Sequence, residues 1–271
     1  MLLVPLSLLV GGLVWVLLLL PSLIYGAVVW VRGKLYDLGV LKSHSVALPT
    51  IGVGNLAVGG TGKSPMVGEL VEMLRAEHSP AVLSRGYGRR TKGFREVLET
   101  STAEEVGDEP LQLKLRYPWL CVVVCEDRVE GCETIHERFP SVDVVVLDDA
   151  YQHRRLRVGL ELLLTSYTRL YTRDWPMPLG RLRDLGNQAK RAKAVILSKC
   201  PADLGEAARQ ELGEELADTG QLFACSRIAY GTPRPLYPGM ELATPADGSA
   251  VSIITAIANP RPLWEYVAEK W

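Results

Sequence analysis

The hydrophobic positions of this chain fall into two regimes. From Met1 to Val31 no residue is charged, and Leu, Val and Trp run on without the regular polar interruptions of a surface helix. Such a run is long enough to span a bilayer. Pro5, Gly11, Gly12, Pro21 and Gly26 punctuate it, so a full span and a re-entrant or interfacial helix pair both stay open. Past residue 45 the pattern changes, and short apolar runs alternate with segments of helical period. This alternation predicts an α/β fold with a mostly parallel sheet flanked by helices. Candidate strands cover residues 51–53, 81–83, 121–124, 142–147, 161–165, 194–198 and 251–254. Helices are expected over 65–77, 111–115 and 204–216. The chain divides into an apolar segment (1–44), a core (45–200) and a smaller second lobe (201–271), which carries a Pro-rich stretch at 232–238.

Between the first strand and the first core helix stands Gly59-Gly60-Thr61-Gly62-Lys63-Ser64. Glycines let successive backbone N–H groups turn inward around phosphates, a lysine supplies a point charge to the β and γ oxygens, and a serine hydroxyl can ligate Mg²⁺. Strand, glycine loop and helix occur in the order that a nucleotide triphosphate loop requires. The helix places Met66, Val67, Leu70, Val71 and Leu74 on one stripe and tolerates Pro65 in its first turn. Ala57 stands where the strict form of the motif has its first glycine. A glycine-rich turn that only caps a helix is the plainer alternative.

Acidic residues at strand ends extend the picture. The 144–147 run is apolar and ends in Asp148 and Asp149, an arrangement that can hold the Mg²⁺ bridging two phosphates. Paired acids also serve as helix N-caps. Gln152 and His153 follow within one turn, able to position a nucleophile or phosphate, or simply to order their own loop. Asp108, in Gly107-Asp-Glu-Pro110, is either a helix cap or a carboxylate that takes the proton of an attacking hydroxyl. Three basic clusters (Arg85 to Arg95, Arg154 to Arg157, Arg181 to Lys193) follow strands or acidic motifs and suit the rim of an anion site or a solvated surface.

Composition narrows the class. With 271 residues, 48% of them apolar, the chain can bury a substantial core. A net charge of −1 and a pI near 6.5 argue against a general nucleic-acid binder, and no obligate protein partner is evident. The five cysteines form no CxxC pair and read as reduced core residues of a cytosolic protein. No positive n-region precedes the apolar run and no small-residue cleavage site follows it, against a cleavable signal peptide. The first charges, Arg32, Lys34 and Lys42, follow the run, which keeps the next domain on the cytoplasmic side.

Five segments together resemble the tetraacyldisaccharide 4′-kinase family of lipid A biosynthesis: 53–65, 83–89 (Leu-Ser-Arg-Gly-Tyr-Gly-Arg), 107–110, 148–153 (Asp-Asp-Ala-Tyr-Gln-His) and 179–183 (Leu-Gly-Arg-Leu-Arg). Residues 256–260 resemble a second-lobe segment of that family. The resemblance implies a P-loop NTPase-like kinase at the cytoplasmic face of the bacterial inner membrane. It would use ATP and Mg²⁺ to phosphorylate the 4′-hydroxyl of an acylated glucosamine disaccharide 1-phosphate. Residues Ala57, Val58, Gly59, Gly60, Thr61, Gly62, Lys63 and Ser64 would bind ATP. The catalytic set implied is Lys63, Asp108, Asp148, Asp149 and His153, and the metal set Ser64, Asp149 and Gln152. The family usually has Thr at the position of Ser64 and often Gly at that of Ala150, and its apolar N-terminus is shorter. Its members continue beyond the position of Trp271 with a segment holding a histidine of the site, so the second lobe is expected to be incomplete.

Two other classes remain to be weighed against this one. A membrane-associated GTPase or ATPase switch would carry a guanine-reading N/T-K-x-D motif, of which Ser198-Lys-Cys-Pro-Ala-Asp203 is a distant echo. An inactive nucleotide-binding fragment would bind without turnover.

Overall fold

The computed structural model describes residues 6–231, 233, 235, 239, 250–255, 257 and 259–270, with side chains from residue 15 onward. An N-terminal helix, α1 (Leu6–Asp37), leads into β1 (Thr50–Gly54) and α2 (Lys63–Leu74). Then come β2 (Pro80–Ser84), the short β3 (Arg95–Glu96), α3 (Ala103–Val106), α4 (Asp108–Arg116) and β4 (Cys121–Val124). α5 (Arg128–Arg138), β5 (Val144–Asp148), β6 (Leu160–Ser166), β7 (Ala194–Ser198), α6 (Glu206–Leu216) and β8 (Leu222–Cys225) complete the sheet, and α7 (Arg261–Lys270) follows.

The eight strands lie in the order β3-β4-β2-β5-β1-β6-β7-β8, and every pairing is parallel except β3 with β4. A parallel sheet covered on both faces must be apolar throughout, which explains runs such as Val144-Val-Val-Leu147. Alternate residues of that run serve opposite faces. Val146 packs with Val53, Val67, Val71 and Val122 toward α2 and α4, whereas Val145 and Leu147 pack with Leu83, Val123 and Ile135 toward α5. Leu163, Val195 and Leu197 build a third cluster with Leu216 of α6. Register aligns Val53 with Asp148, so β1 and β5 end side by side and deliver the glycine loop and the paired acids to one edge.

α1 runs 32 residues, about 48 Å at 1.5 Å per residue. One face lies on the sheet domain: the Ser22 hydroxyl donates to the Pro176 carbonyl at 2.7 Å, the Tyr25 hydroxyl donates to the Arg183 carbonyl at 3.0 Å, and a side chain at Gly26 would touch Pro176. The remainder exposes Leu17, Leu20, Leu23, Ile24, Val28 and Val31. By length and composition, Trp15–Asp37 suffices to cross a membrane.

Contacts divide the chain into two compact units, Met1–Arg227 and Ile228–Trp271. Residues 200–227 belong to the first because β8 pairs with β7. In the second, Tyr230 stacks on Tyr266 with ring centroids 4.3 Å apart.

Several expectations are corrected. Residues 251–254 form no strand; among the described residues no partner strand receives them, and Val251 and Ile254 are exposed. β5 begins at Val144 because the N–H of Val142 turns back onto the Phe139 carbonyl. α2 stops at Leu74, whose carbonyl takes the N–H groups of both Glu77 and His78. β3 and β8 escaped detection since one is two residues long and the other is an edge strand with little buried surface to impose a period. Part of the Pro-rich stretch at 232–238, and residues 256 and 258 of the late segment, lie outside the described residues.

Candidate functional site

Two glycines set the backbone of the loop between β1 and α2. A Cβ at Gly54 would lie 2.5 Å from Cβ of Tyr151, so only glycine lets the strand end pass that close to the loop after β5. Gly62, at φ 86°, sits in the left-handed region and caps α2. Lys63 and Ser64 therefore open the helix, where unpaired N–H groups and the positive dipole end favour an anion.

The loop is braced from three sides. The buried Asn55 amide donates to the Thr61 hydroxyl at 2.8 Å. Ser198, ending β7, donates to the Thr61 carbonyl at 2.7 Å, and the Lys199 ammonium reaches the Gly60 carbonyl. The Val58 N–H donates to the Arg181 carbonyl at 2.8 Å. Preorganisation of this kind spares a phosphate ligand the cost of ordering the loop.

The two acids after β5 meet different surroundings. Asp149, at φ 50°, receives the Arg183 guanidinium on both oxygens, and the Lys63 ammonium stands 3.7 Å away. Burial works against its ionisation, but the Arg183 hydrogen bonds and the Lys63 charge outweigh it and hold the carboxyl below its usual range. Asp148 is buried at 6% exposure. Its Oδ2 accepts from the Ser84 hydroxyl at 3.2 Å, and its Oδ1 has no hydrogen-bond partner among the described residues. Burial first, then the Glu109 and Asp149 charges, push its pKa up to about 6.

Asp148 shares a small cavity with Ser64, Ser84 and Glu109. A buried carboxylate oxygen without a donor costs free energy unless a cation completes it. Hydroxyl and carboxylate oxygens suit the hard Mg²⁺ ion, which keeps water and phosphate as its other ligands. The pair therefore fits that ion in kind, although among the described residues no group of three or more His, Cys, Asp or Glu could hold a metal alone. Of the expected metal set, Ser64 faces this cavity, Asp149 is engaged by Lys63 and Arg183, and the Gln152 amide donates to the Asn55 carbonyl at 2.8 Å.

Asp108 is the first residue of α4 and is exposed; Gly107 caps that helix and no side chain does. Its carboxylate is thus not spent on capping. His153 folds back onto α5, its Nε2 accepting the Arg128 N–H at 3.4 Å with Asp127 at 3.9 Å. Desolvation and the Arg128 charge lower its pKa to about 4, so the ring is neutral at physiological pH. Of the basic clusters, Arg89, Arg90 and Arg95 pair with Glu126, Glu104 and Glu105, while Arg154 and Arg155 pair with Asp37 and Asp127. Arg181 and Arg183 lie at the loop.

The family model for tetraacyldisaccharide-1-P 4′-kinase matches residues 14–270. The chain belongs to that family. It is 41% identical over 256 residues to the tetraacyldisaccharide 4′-kinase of Bacteroides thetaiotaomicron, covering 90% of this chain and 67% of that one. The enzyme of Cytophaga hutchinsonii is 40% identical, with 93% and 71% covered. A crystal structure of LpxK from Aquifex aeolicus in complex with ATP superposes with a TM-score of 0.64 at 35% identity, covering 76% of this chain and 62% of that one. The chain thus spans about two thirds of the length of these family members, and it shares their P-loop kinase fold.

Within this family frame, four residues of the site went unassigned from sequence. Asn55 carried a signal, being a polar residue directly after an apolar strand. Ser84 did as well. Arg183 stood among the basic residues and at the end of the 179–183 segment, and Glu109 beside Asp108 in 107–110, each without a role attached, because their roles depend on chain segments far apart in sequence.

Proposed function

We propose that this chain is an ATP-dependent kinase that transfers the γ-phosphoryl group to the 4′-hydroxyl of a tetraacyl glucosamine disaccharide 1-phosphate. The observation that carries the reading is a phosphate loop braced by its own chain, facing a buried carboxylate oxygen that has no hydrogen-bond partner among the described residues. Residues Ala57 to Ser64 cradle the phosphates and Lys63 contacts their outer oxygens. Ser64 and Asp148 hold Mg²⁺, which when bound offsets charge on the transferring group. Arg183 and Lys63 keep Asp149 ionised and fixed beside the phosphates. Asp108, exposed and uncommitted, accepts the proton of the sugar hydroxyl. His153 orders the loop after β5. Transfer through a loose transition state asks mainly for positioning and charge neutralisation, and these residues supply both.

The exposed apolar face of α1 supports work at a membrane, on its cytoplasmic side by the placement of Arg32, Lys34 and Lys42. Each acyl CH₂ drawn into water costs about 0.8 kcal/mol, so a four-chain substrate is reached at the bilayer. A guanine-reading role for residues 198–203 is disfavoured, since Ser198 and Lys199 are occupied by the loop carbonyls.

The test is incubation of the chain with ATP, Mg²⁺ and tetraacyl disaccharide 1-phosphate in micelles, with phosphorus NMR of the lipid product. A second phosphomonoester at the 4′ position is expected and should vanish in Lys63→Ala. ATP hydrolysis with no lipid product would overturn the reading.

A further inference from the structure

Two cysteines stand apart from the site described above. Cys225 ends β8 and is exposed, contrary to the expectation of core cysteines; Cys200 follows β7 by two residues and is partly exposed. The parallel register sets Leu197 opposite Cys225, and the Cys200 N–H donates to the carbonyl of Ser226 at 2.9 Å. The ends of β7 and β8 thus bring the two side chains to one cavity. With Arg209 and Arg227 they line a solvent-open cavity of about 240 Å³. Cys125 and Cys132, by contrast, are sealed in the core.

We propose that Cys225 and Cys200 are an oxidisable dithiol that closes to a disulfide when a hydroperoxide enters this cavity, and that closure loosens the phosphate loop. The Cys225 thiolate attacks the outer peroxide oxygen, the O–O bond breaks, and water or an alcohol leaves, giving a sulfenic acid. The Cys200 sulfur then displaces its hydroxyl, forming the S–S bond and releasing water with the Cys200 proton. Two electrons pass from the sulfurs to the peroxide, and a small-molecule thiol reverses the step.

The order of attack follows from the surroundings. Cys225 is exposed to solvent at the mouth of this cavity, where a hydroperoxide reaches it first. Cys200 donates its thiol proton to the Leu197 carbonyl at 3.2 Å, and burial holds its pKa up at about 11, so it resolves rather than initiates.

Coupling to the loop runs through the two residues before Cys200. Ser198 and Lys199 hold the carbonyls of Thr61 and Gly60, and Lys199 does so from a left-handed backbone at φ 60°. A disulfide takes the Cys200 sulfur off the Leu197 carbonyl and draws this segment toward β8. The strained position of Lys199 is the first to give.

The experiment treats the full chain with stoichiometric hydrogen peroxide and follows intact mass, non-reducing peptide maps and binding of a fluorescent ATP analogue. A loss of about 2 mass units, a peptide joining Cys200 to Cys225 and reversal by dithiothreitol are expected. Binding should weaken ~10-fold on oxidation, the size of one lost charge-assisted hydrogen bond. Cys200→Ser and Cys225→Ser should each bind the analogue as the reduced chain does, form no crosslink and keep that binding after peroxide, with Cys200→Ser alone gaining oxygen at Cys225. Oxygen addition to Cys225 without a crosslink would overturn the proposal, and a crosslink that leaves binding unchanged would overturn the coupling. That second arm rests on the ATP-binding reading, and absence of binding in the reduced chain would count against the reading; the crosslink is read independently of both.

Discussion

Arg183 holds Asp149 through both carboxylate oxygens. The same guanidinium reaches Asn55, which in turn holds Thr61, so one arginine ties the paired acids to the phosphate loop. Lysine keeps the charge but loses the fork that grips two partners at once. Arg183→Lys is expected to lower kcat by ~10- to 100-fold, the scale of a lost bidentate contact, with a smaller change in KM for ATP. Steady-state kinetics check this, and unchanged kcat would remove Arg183 from the site.

Tyr25 connects the apolar helix to that arginine through a single hydrogen bond to its carbonyl. Tyr25→Phe deletes the hydroxyl and little else. A cost of about 1 kcal/mol is expected, read as a drop in Tm of about 2–4 °C in detergent. An unchanged melt would show that α1 sits on the domain without this bond.

Asp148 should weaken the fold that carries it. Its folded pKa of about 6 lies above the ordinary aspartate value of 3.8, so the stability tied to its protonated form is complete below pH 4 and lost as pH rises through 6. At pH 7 the ionised group costs on the order of 3 kcal/mol when no cation is bound. Asp148→Asn should therefore melt higher than the parent at pH 7.5 without nucleotide and magnesium, yet fail in phosphoryl transfer. A lower melting point would contradict the assignment of the orphaned oxygen.

His153 gives the opposite slope. Its pKa falls from 6.5 to about 4 on folding, so the neutral ring's contribution is complete above pH 6.5 and drains away as pH drops through 4. The amount is on the order of 3 kcal/mol. Asp148 changes with the opposite sign between about pH 4 and 6, so the useful comparison is parent against variant. Denaturant titrations at pH 7.5 and 5.5 should show His153→Gln losing less stability on acidification than the parent; equal losses would place the ring in water.

How far the sequence discloses this molecule depends on how local each determinant is. Strands of buried apolar residues were legible nearly to the residue, as with Cys121–Val124 and Ala194–Ser198, because burial on both faces leaves no polar position. The glycine loop was legible because its backbone demands particular residues in a row. What stayed hidden is pairing at a distance: Asp149 with Arg183, Thr61 with Ser198, Tyr25 with the Arg183 carbonyl. The different fates of Asp148 and Asp149, adjacent in sequence, were also illegible, since groups from distant segments, Arg183 in a loop and Lys63 at the start of α2, decide which is paired and which is orphaned. Residues 251–254 misled because an apolar β-branched run forms a strand only where an edge accepts it.

The central claim is that the braced loop, Lys63 and Asp148 form a magnesium-ATP site that phosphorylates a membrane lipid. The most direct test is the initial rate of labelled γ-phosphate transfer to tetraacyl disaccharide 1-phosphate as magnesium is titrated, for the parent chain, Lys63→Ala and Asp148→Asn. The account predicts magnesium-dependent transfer by the parent and none by either variant. Transfer by Asp148→Asn at the parent's rate and magnesium dependence would contradict it.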